Sequence, residues 1–203
     1  MMHARLTFTP VAVVSFLACA AGFAFAAQAP GGGAPGFVLT STSFEDGGFA
    51  PNRLAYTNTP QTPDCSGQNI SPQLSWANPA PGVKSYVLTM YEAEGGPAHT
   101  DLVVYGIPPN VTSFAEGELG RGSPKFVEGK GFRTMGTWRG MCPPANAGTS
   151  IHHYIFRIRG TDLDPAELPP GLSSEELDLQ LRGHTKGQAI LVAKYQRPQQ
   201  PVP

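Results

Sequence analysis

Two short stretches of this chain concentrate side chains able to do chemistry. Glu92-Ala93-Glu94 sets two carboxylates two residues apart, and His152-His153-Tyr154 sets two imidazoles beside a phenol. Carboxylates near a His can ligate a metal, but no ordered ligand spacing is visible, so no metal is expected here. Neighbouring side chains on a strand point to opposite faces. His152 and His153 therefore cannot both face one site, and His153 reads as a surface or rim residue. The ring of Tyr154 belongs in a core, and only its hydroxyl can serve a ligand. Glu94-Gly95-Gly96-Pro97 is a turn signal, so the two Glu read equally well as a solvated loop or as part of a pocket. The chain has no Gly-x-Ser-x-Gly elbow, no Gly-rich phosphate loop and no His-Glu-x-x-His. Neither an enzyme nor a cofactor is expected.

The three cysteines are Cys19, Cys65 and Cys142. Cys19 falls inside an N-terminal leader, which leaves Cys65 and Cys142. An even number in an exported chain favours one disulfide, and two free buried thiols are the alternative. A bridge would close a loop of about 77 residues, for which chain entropy gives roughly 4–5 kcal/mol. Cys142 precedes Pro143-Pro144 with no helix N-terminus to lower its pKa, so it does not read as a nucleophile.

The elements that would carry these residues are mostly strands. Ser85–Met90 is rich in β-branched and aromatic residues. Leu102–Ile107 is a continuous apolar run closed by Pro108-Pro109, the pattern of a strand buried on both faces. Tyr154–Gly160 alternates as a strand with one wet face would, and Ala189–Tyr195 is the last strand. Phe37–Thr40 and Leu74–Trp76 are shorter β-prone runs, and Asp46-Gly47-Gly48 marks a turn. One helix is well signalled. Ser173 and Glu176 form a capping box, Leu172 and Leu177 stand at the staple positions, and Leu177 and Leu181 share a face. Gly183 can close the helix in the left-handed region. The expected class is mostly β with one or two short helices near the C-terminus, as a sandwich or an open barrel.

Composition sets the address. The chain has 203 residues, a net charge of -1, 24 Gly and 21 Pro. Near-neutral charge with no Lys/Arg run argues against nucleic acid. His3 and Arg5 precede an uncharged run from Val11 to Ala27 that ends in Ala24-Phe25-Ala26, a cleavage-site pattern. Residues 1–26 are therefore expected to be a signal peptide, with 27–36 a disordered linker, 37–195 the folded domain and 196–203 a frayed tail. A lipoprotein anchor at Cys19 and a membrane span are the weaker alternatives. A periplasmic or secreted protein without an integral span is expected.

Three strings go beyond generic patterning. They are Cys65-Ser66-Gly67-Gln68-Asn69-Ile70-Ser71-Pro72-Gln73-Leu74-Ser75-Trp76, Gly140-Met141-Cys142-Pro143-Pro144, and His152-His153-Tyr154-Ile155-Phe156. Together with Val104–Pro109 they make the chain resemble the bacterial branch of the phosphatidylethanolamine-binding, or Raf-kinase-inhibitor-like, family over about Phe37 to Tyr195. The resemblance implies a β-sandwich with a small pocket at one end that takes phosphate, acetate or phosphoethanolamine-like head groups. Carried over by position, Glu92 and Glu94 stand at the family's Asp-Pro-Asp, Cys142 and Pro143 form a wall, and His152 and Tyr154 match directly. Asp101 stands where the family has a pocket His, and His99 does not obviously replace it. The resemblance would thus bring the carboxylates of Glu92, Glu94 and Asp101 together, so that a proton is trapped or a cation is bound. A small-molecule binding protein is expected, for a phosphate-like or an amine head group. An inhibitor or regulator of a protein partner (protease or kinase-like) and a cation- or metal-binding variant pocket are the alternatives.

Overall fold

In a computed structural model, residues 36–57, 59–60, 65–95, 99–132, 137–144 and 150–198 are described. The expected leader (1–26), the linker up to residue 35 and the end of the tail (199–203) lie outside them. The strands are β1 (Val38–Thr40), β2 (Gly48–Phe49), β3 (Leu74–Ala77), β4 (Ser85–Glu92), β5 (Thr100–Ile107), β6 (Ser113–Phe114), β7 (Val127–Glu128), β8 (His152–Thr161) and β9 (Thr185–Tyr195). Among the described residues one α-helix, α1 (Ser174–Gln180), precedes β9.

The strands form two sheets. The smaller has the order β1-β3-β6 and the larger β2-β9-β8-β4-β5-β7. The long neighbours β9, β8, β4 and β5 are antiparallel, and only the short β2 joins β9 in parallel. Period-2 alternation sorts their side chains. Tyr86, Leu88 and Met90 of β4, Leu102 and Val104 of β5, and Tyr154, Phe156 and Ile158 of β8 face Leu39, Leu74, Trp76 and Phe114 of the smaller sheet. These residues form the main core, and the architecture is the expected sandwich.

The outer face of the larger sheet is covered by α1. Val87, Val103 and Tyr105 pack against Leu168, Leu177 and Leu181. The run from Leu102 to Ile107 is buried throughout because both of its faces are covered. The capping box at Ser173 and Glu176 forms, and Gly183 takes φ 81°. The Tyr105 hydroxyl donates to Pro169 O (2.6 Å) and accepts from Leu172 N, which ties the segment before α1 to the sheet. Two single-turn 3-10 helices, Asn52–Leu54 and Glu118–Gly120, had no sequence signal. No helix among the described residues is long and apolar enough to cross a membrane.

Candidate functional site

The candidate residues gather where β4 ends and β8 begins. Glu92 closes β4, and its register partner on β8 is Tyr154. Cross-strand partners share a face, so Glu92, Tyr154 and the residue two before it, His152, all point inward at one end of the sandwich. All three are buried. The turn after β4 returns Glu94 over the same strand ends.

This geometry produces one compact polar group. His152 Nδ1 hydrogen-bonds Glu92 Oε1 and lies 4.0 Å from Glu94 Oε2. Because a carboxylate can only accept, Nδ1 carries the proton in that bond. Ligating atoms of Glu92, Glu94 and His152 all lie within 4.8 Å of one another. His153 faces the other way, as strand alternation requires, yet it holds the same turn. Its ring Nδ1 is 2.7 Å from Glu94 Oε1, and its backbone N–H donates to Glu94 Oε2 at 2.9 Å. Partial burial pushes the Glu94 carboxyl up, but these bonds from His153 more than reverse that and hold it below the usual carboxylate range.

Tyr154 lies beneath this group. Its hydroxyl is fully buried with no hydrogen bond of ordinary geometry, although the Cys142 backbone is close. Burial first, and then the charges of Glu92 and Asp101, push the phenol far above its ordinary value. The hydroxyl therefore stays protonated and available as a donor.

Asp101 is not among the side chains whose ligating atoms cluster with Glu92, although its charge, like that of Glu92, acts on the Tyr154 hydroxyl. A register shift between Met90 and Tyr91 on β4 lies opposite it. Its Oδ1 is instead 3.5 Å from Nη1 of Arg139, and both side chains are buried. The Arg139 guanidinium also stacks on Tyr56, 4.6 Å from the ring centroid. The third carboxylate thus has its own cation, supplied by a residue that sequence reasoning passed over. A lone Arg in a loop gives no spacing signal. His99 is not a substitute pocket residue. Its Nδ1 bonds Gly95 O at 2.6 Å, and its ring packs on Phe132.

The remaining wall is Gly140–Pro143. Asn69, at φ 54°, accepts from Gly140 N through Oδ1 at 2.7 Å. Tyr56 N donates to Met141 O, and Ala55 bridges Met141. A Cβ on Gly140 would stand 2.4 Å from Leu54 O, and one on Gly67 would stand 2.0 Å from Ala55 O. Only glycine allows that backbone contact. A disulfide between Cys65 and Cys142, Cα–Cα 5.8 Å, fastens the two segments, as the cysteine count favoured. Arg197, just past β9, donates from Nε to Pro143 O at 2.6 Å, so the start of the expected loose tail is tied to this wall. The Cys65–Trp76 and Gly140–Pro144 strings are therefore largely the frame of one corner of the sandwich.

Among the described residues no Ser, Thr or Cys side chain is hydrogen-bonded to a His ring. The arrangement offers two carboxylates, an imidazole and a buried phenol hydroxyl at one end of the sandwich.

Comparison with known proteins agrees with this architecture. A UPF0098 protein of Methanothermobacter thermautotrophicus is 33% identical over 162 residues, covering 78% of this chain and 98% of the relative. YbhB of Escherichia coli is 26% identical over 164 residues, 77% of this chain and 98% of the relative. A Mycobacterium tuberculosis relative, provisionally named lipoprotein LppC, is 29% identical and covers 84% of this chain and 77% of its own. The crystal structure of E. coli YbcL, described as a member of the mammalian PEBP family, superposes with a TM-score of 0.68 at 23% identity, over 79% of this chain and 98% of that one. The PEBP homologue CT736 of Chlamydia trachomatis gives 0.66 at 25% identity, over 80% and 99%. The family model for phosphatidylethanolamine-binding proteins matches residues 40–196, and the chain belongs to that family.

Proposed function

We propose that this protein is exported, is not an enzyme, and binds a small ligand through a positively charged group seated between Glu92, Glu94 and His152. The observation that carries the reading is the convergence of those three side chains where β4 ends and β8 begins. Asp101 is matched by Arg139, so the two Glu carboxylates remain as the acidic feature of the site. Buried or half-buried carboxylates favour a cation over an anion. The family description names phosphatidylethanolamine, whose head group carries an ammonium and a phosphate. Here the ammonium is the part the two Glu would hold.

Export rests on the leader pattern at residues 1–26. The Cys65–Cys142 disulfide supports it, because such bonds persist in oxidising compartments. A purely anionic ligand is the second reading. The unbonded Tyr154 hydroxyl favours it, and so does the family resemblance, in which carboxylates at the positions of Glu92 and Glu94 line a pocket for phosphate-like groups.

A thermal-shift panel in the presence of chelator tests the proposal, using ethanolamine, phosphoethanolamine, phosphate and acetate. Ethanolamine and phosphoethanolamine are expected to stabilise, by about 2.7 kcal/mol at a hundredfold excess over Kd, and Glu94→Gln is expected to remove the effect. Stabilisation by phosphate or acetate alone would show that the pocket reads anions. No stabilisation by any of the four would transfer the function to a protein partner.

A further inference from the structure

We infer that Glu92, Glu94 and His152 form a binding site for a divalent transition-metal cation, with Tyr154 supporting it from beneath. The inference rests on the reading that this pocket takes positive charge, and it names the charge as a metal ion. Three elements supply the donors: the last residue of β4, the turn that follows it, and the first residue of β8. Their ligating atoms lie within 4.8 Å of one another. Donors about 2.0–2.2 Å from one shared Zn2+ lie at most about 4.4 Å apart. The observed group therefore closes on an ion with a small movement. Glu94, exposed on its turn, is the side chain that makes it, giving up its bonds to His153.

The contact between His152 Nδ1 and Glu92 Oε1 marks the place of the ion. On binding, the neutral ring holds its proton at Nε2 instead, so that Nδ1 and both carboxylates turn to the metal. One imidazole with two carboxylates suits Zn2+ or Mn2+ better than Ca2+, which prefers an all-oxygen shell.

The second observation is Tyr154. Its hydroxyl is fully buried, lacks a hydrogen bond of ordinary geometry, and sits directly across the ladder from Glu92. Ligating carboxylates are commonly held by such outer donors, and metal binding gives this hydroxyl a fixed partner. Three protein ligands also leave a coordination position open. An anionic ligand atom could fill it, so that a metal would join an acidic pocket to a phosphate-bearing head group.

The test uses the purified protein, stripped with chelator, desalted and titrated with Zn2+ by calorimetry and thermal shift. One ion per chain is expected, with a Tm rise on the order of 5–10 °C at a hundredfold excess over Kd. Glu94→Gln should weaken binding roughly 10–100-fold or more, and as a near-isosteric change on a turn it leaves the core intact. Phosphate should add stability only when Zn2+ is present. No heat and no Tm change would overturn the inference. So would binding that survives both Glu94→Gln and His152→Gln, or binding lost on His184→Gln, which would place the ion at the exposed His184–Asp162 pair instead. If ethanolamine stabilises the chelated protein and Zn2+ does not, the metal inference fails and the cation pocket stands. If neither stabilises it, both fail.

Discussion

Removing the Cys65–Cys142 bond should be the most informative single perturbation of stability. The cysteines are 77 residues apart. The chain-entropy relation then gives a cost to the folded state of about 4.5 kcal/mol at 25 °C when the cross-link is lost. For a domain of this size each kcal/mol moves Tm by about 2–4 °C, so the expected fall is roughly 9–18 °C. The assay compares urea and thermal unfolding of the oxidised protein with those of the Cys65→Ala/Cys142→Ala double variant. Comparing the slopes on urea would show whether the denatured chain has become more expanded. Other contacts hold the same corner: the Asn69–Gly140 hydrogen bond, the Ala55–Met141 bridge and the Arg197–Pro143 bond. They act on the folded state, so they do not diminish an effect that arises in the unfolded one. A loss below about 1 kcal/mol would refute the reasoning, because it would mean the unfolded chain already keeps these segments together.

Three further outcomes are expected. Gly140→Ala places a methyl 2.4 Å from Leu54 O and 2.6 Å from the Ala55 carbonyl carbon; denaturant melts should show a loss of about 1–3 kcal/mol. Asp101→Asn keeps the shape but leaves the buried Arg139 without its counter-charge, and the same measurement should show a loss of about 3 kcal/mol or more. Glu94 has a lowered carboxyl pKa in the folded protein. Its contribution to stability is therefore full above the unfolded value near 4.3 and is lost as pH falls through the folded value. Stability measured from about pH 6 down to 2 should fall less steeply for Glu94→Gln than for the parent.

The strands and the helix were legible because they rest on local periodicity. Leu102–Ile107 read as buried on both faces and is, between the main core and α1. Ser173, Glu176 and Gly183 read as the start and end of a helix and behave so, because capping involves residues only a few positions apart. Strand alternation alone separated His152 from His153. The short strands β2, β6 and β7, each of two residues, were not legible. Two residues carry no period, and only pairing with a longer neighbour makes them strands.

The site divides along the same line. The sequence by itself determined the residue types, the inward face of His152 and Tyr154, and the one cysteine pair an exported chain could close. Tertiary structure alone decided which charges meet. Glu94 reaches back over β8 because the turn after β4 folds that way, while Asp101 sits opposite a register shift and pairs with Arg139, 38 positions away in the chain. The balance of charge at the site therefore follows from contacts across the sheet and between loops. Coulomb energy depends on distance in space, and the spacing of residues along the chain does not report it.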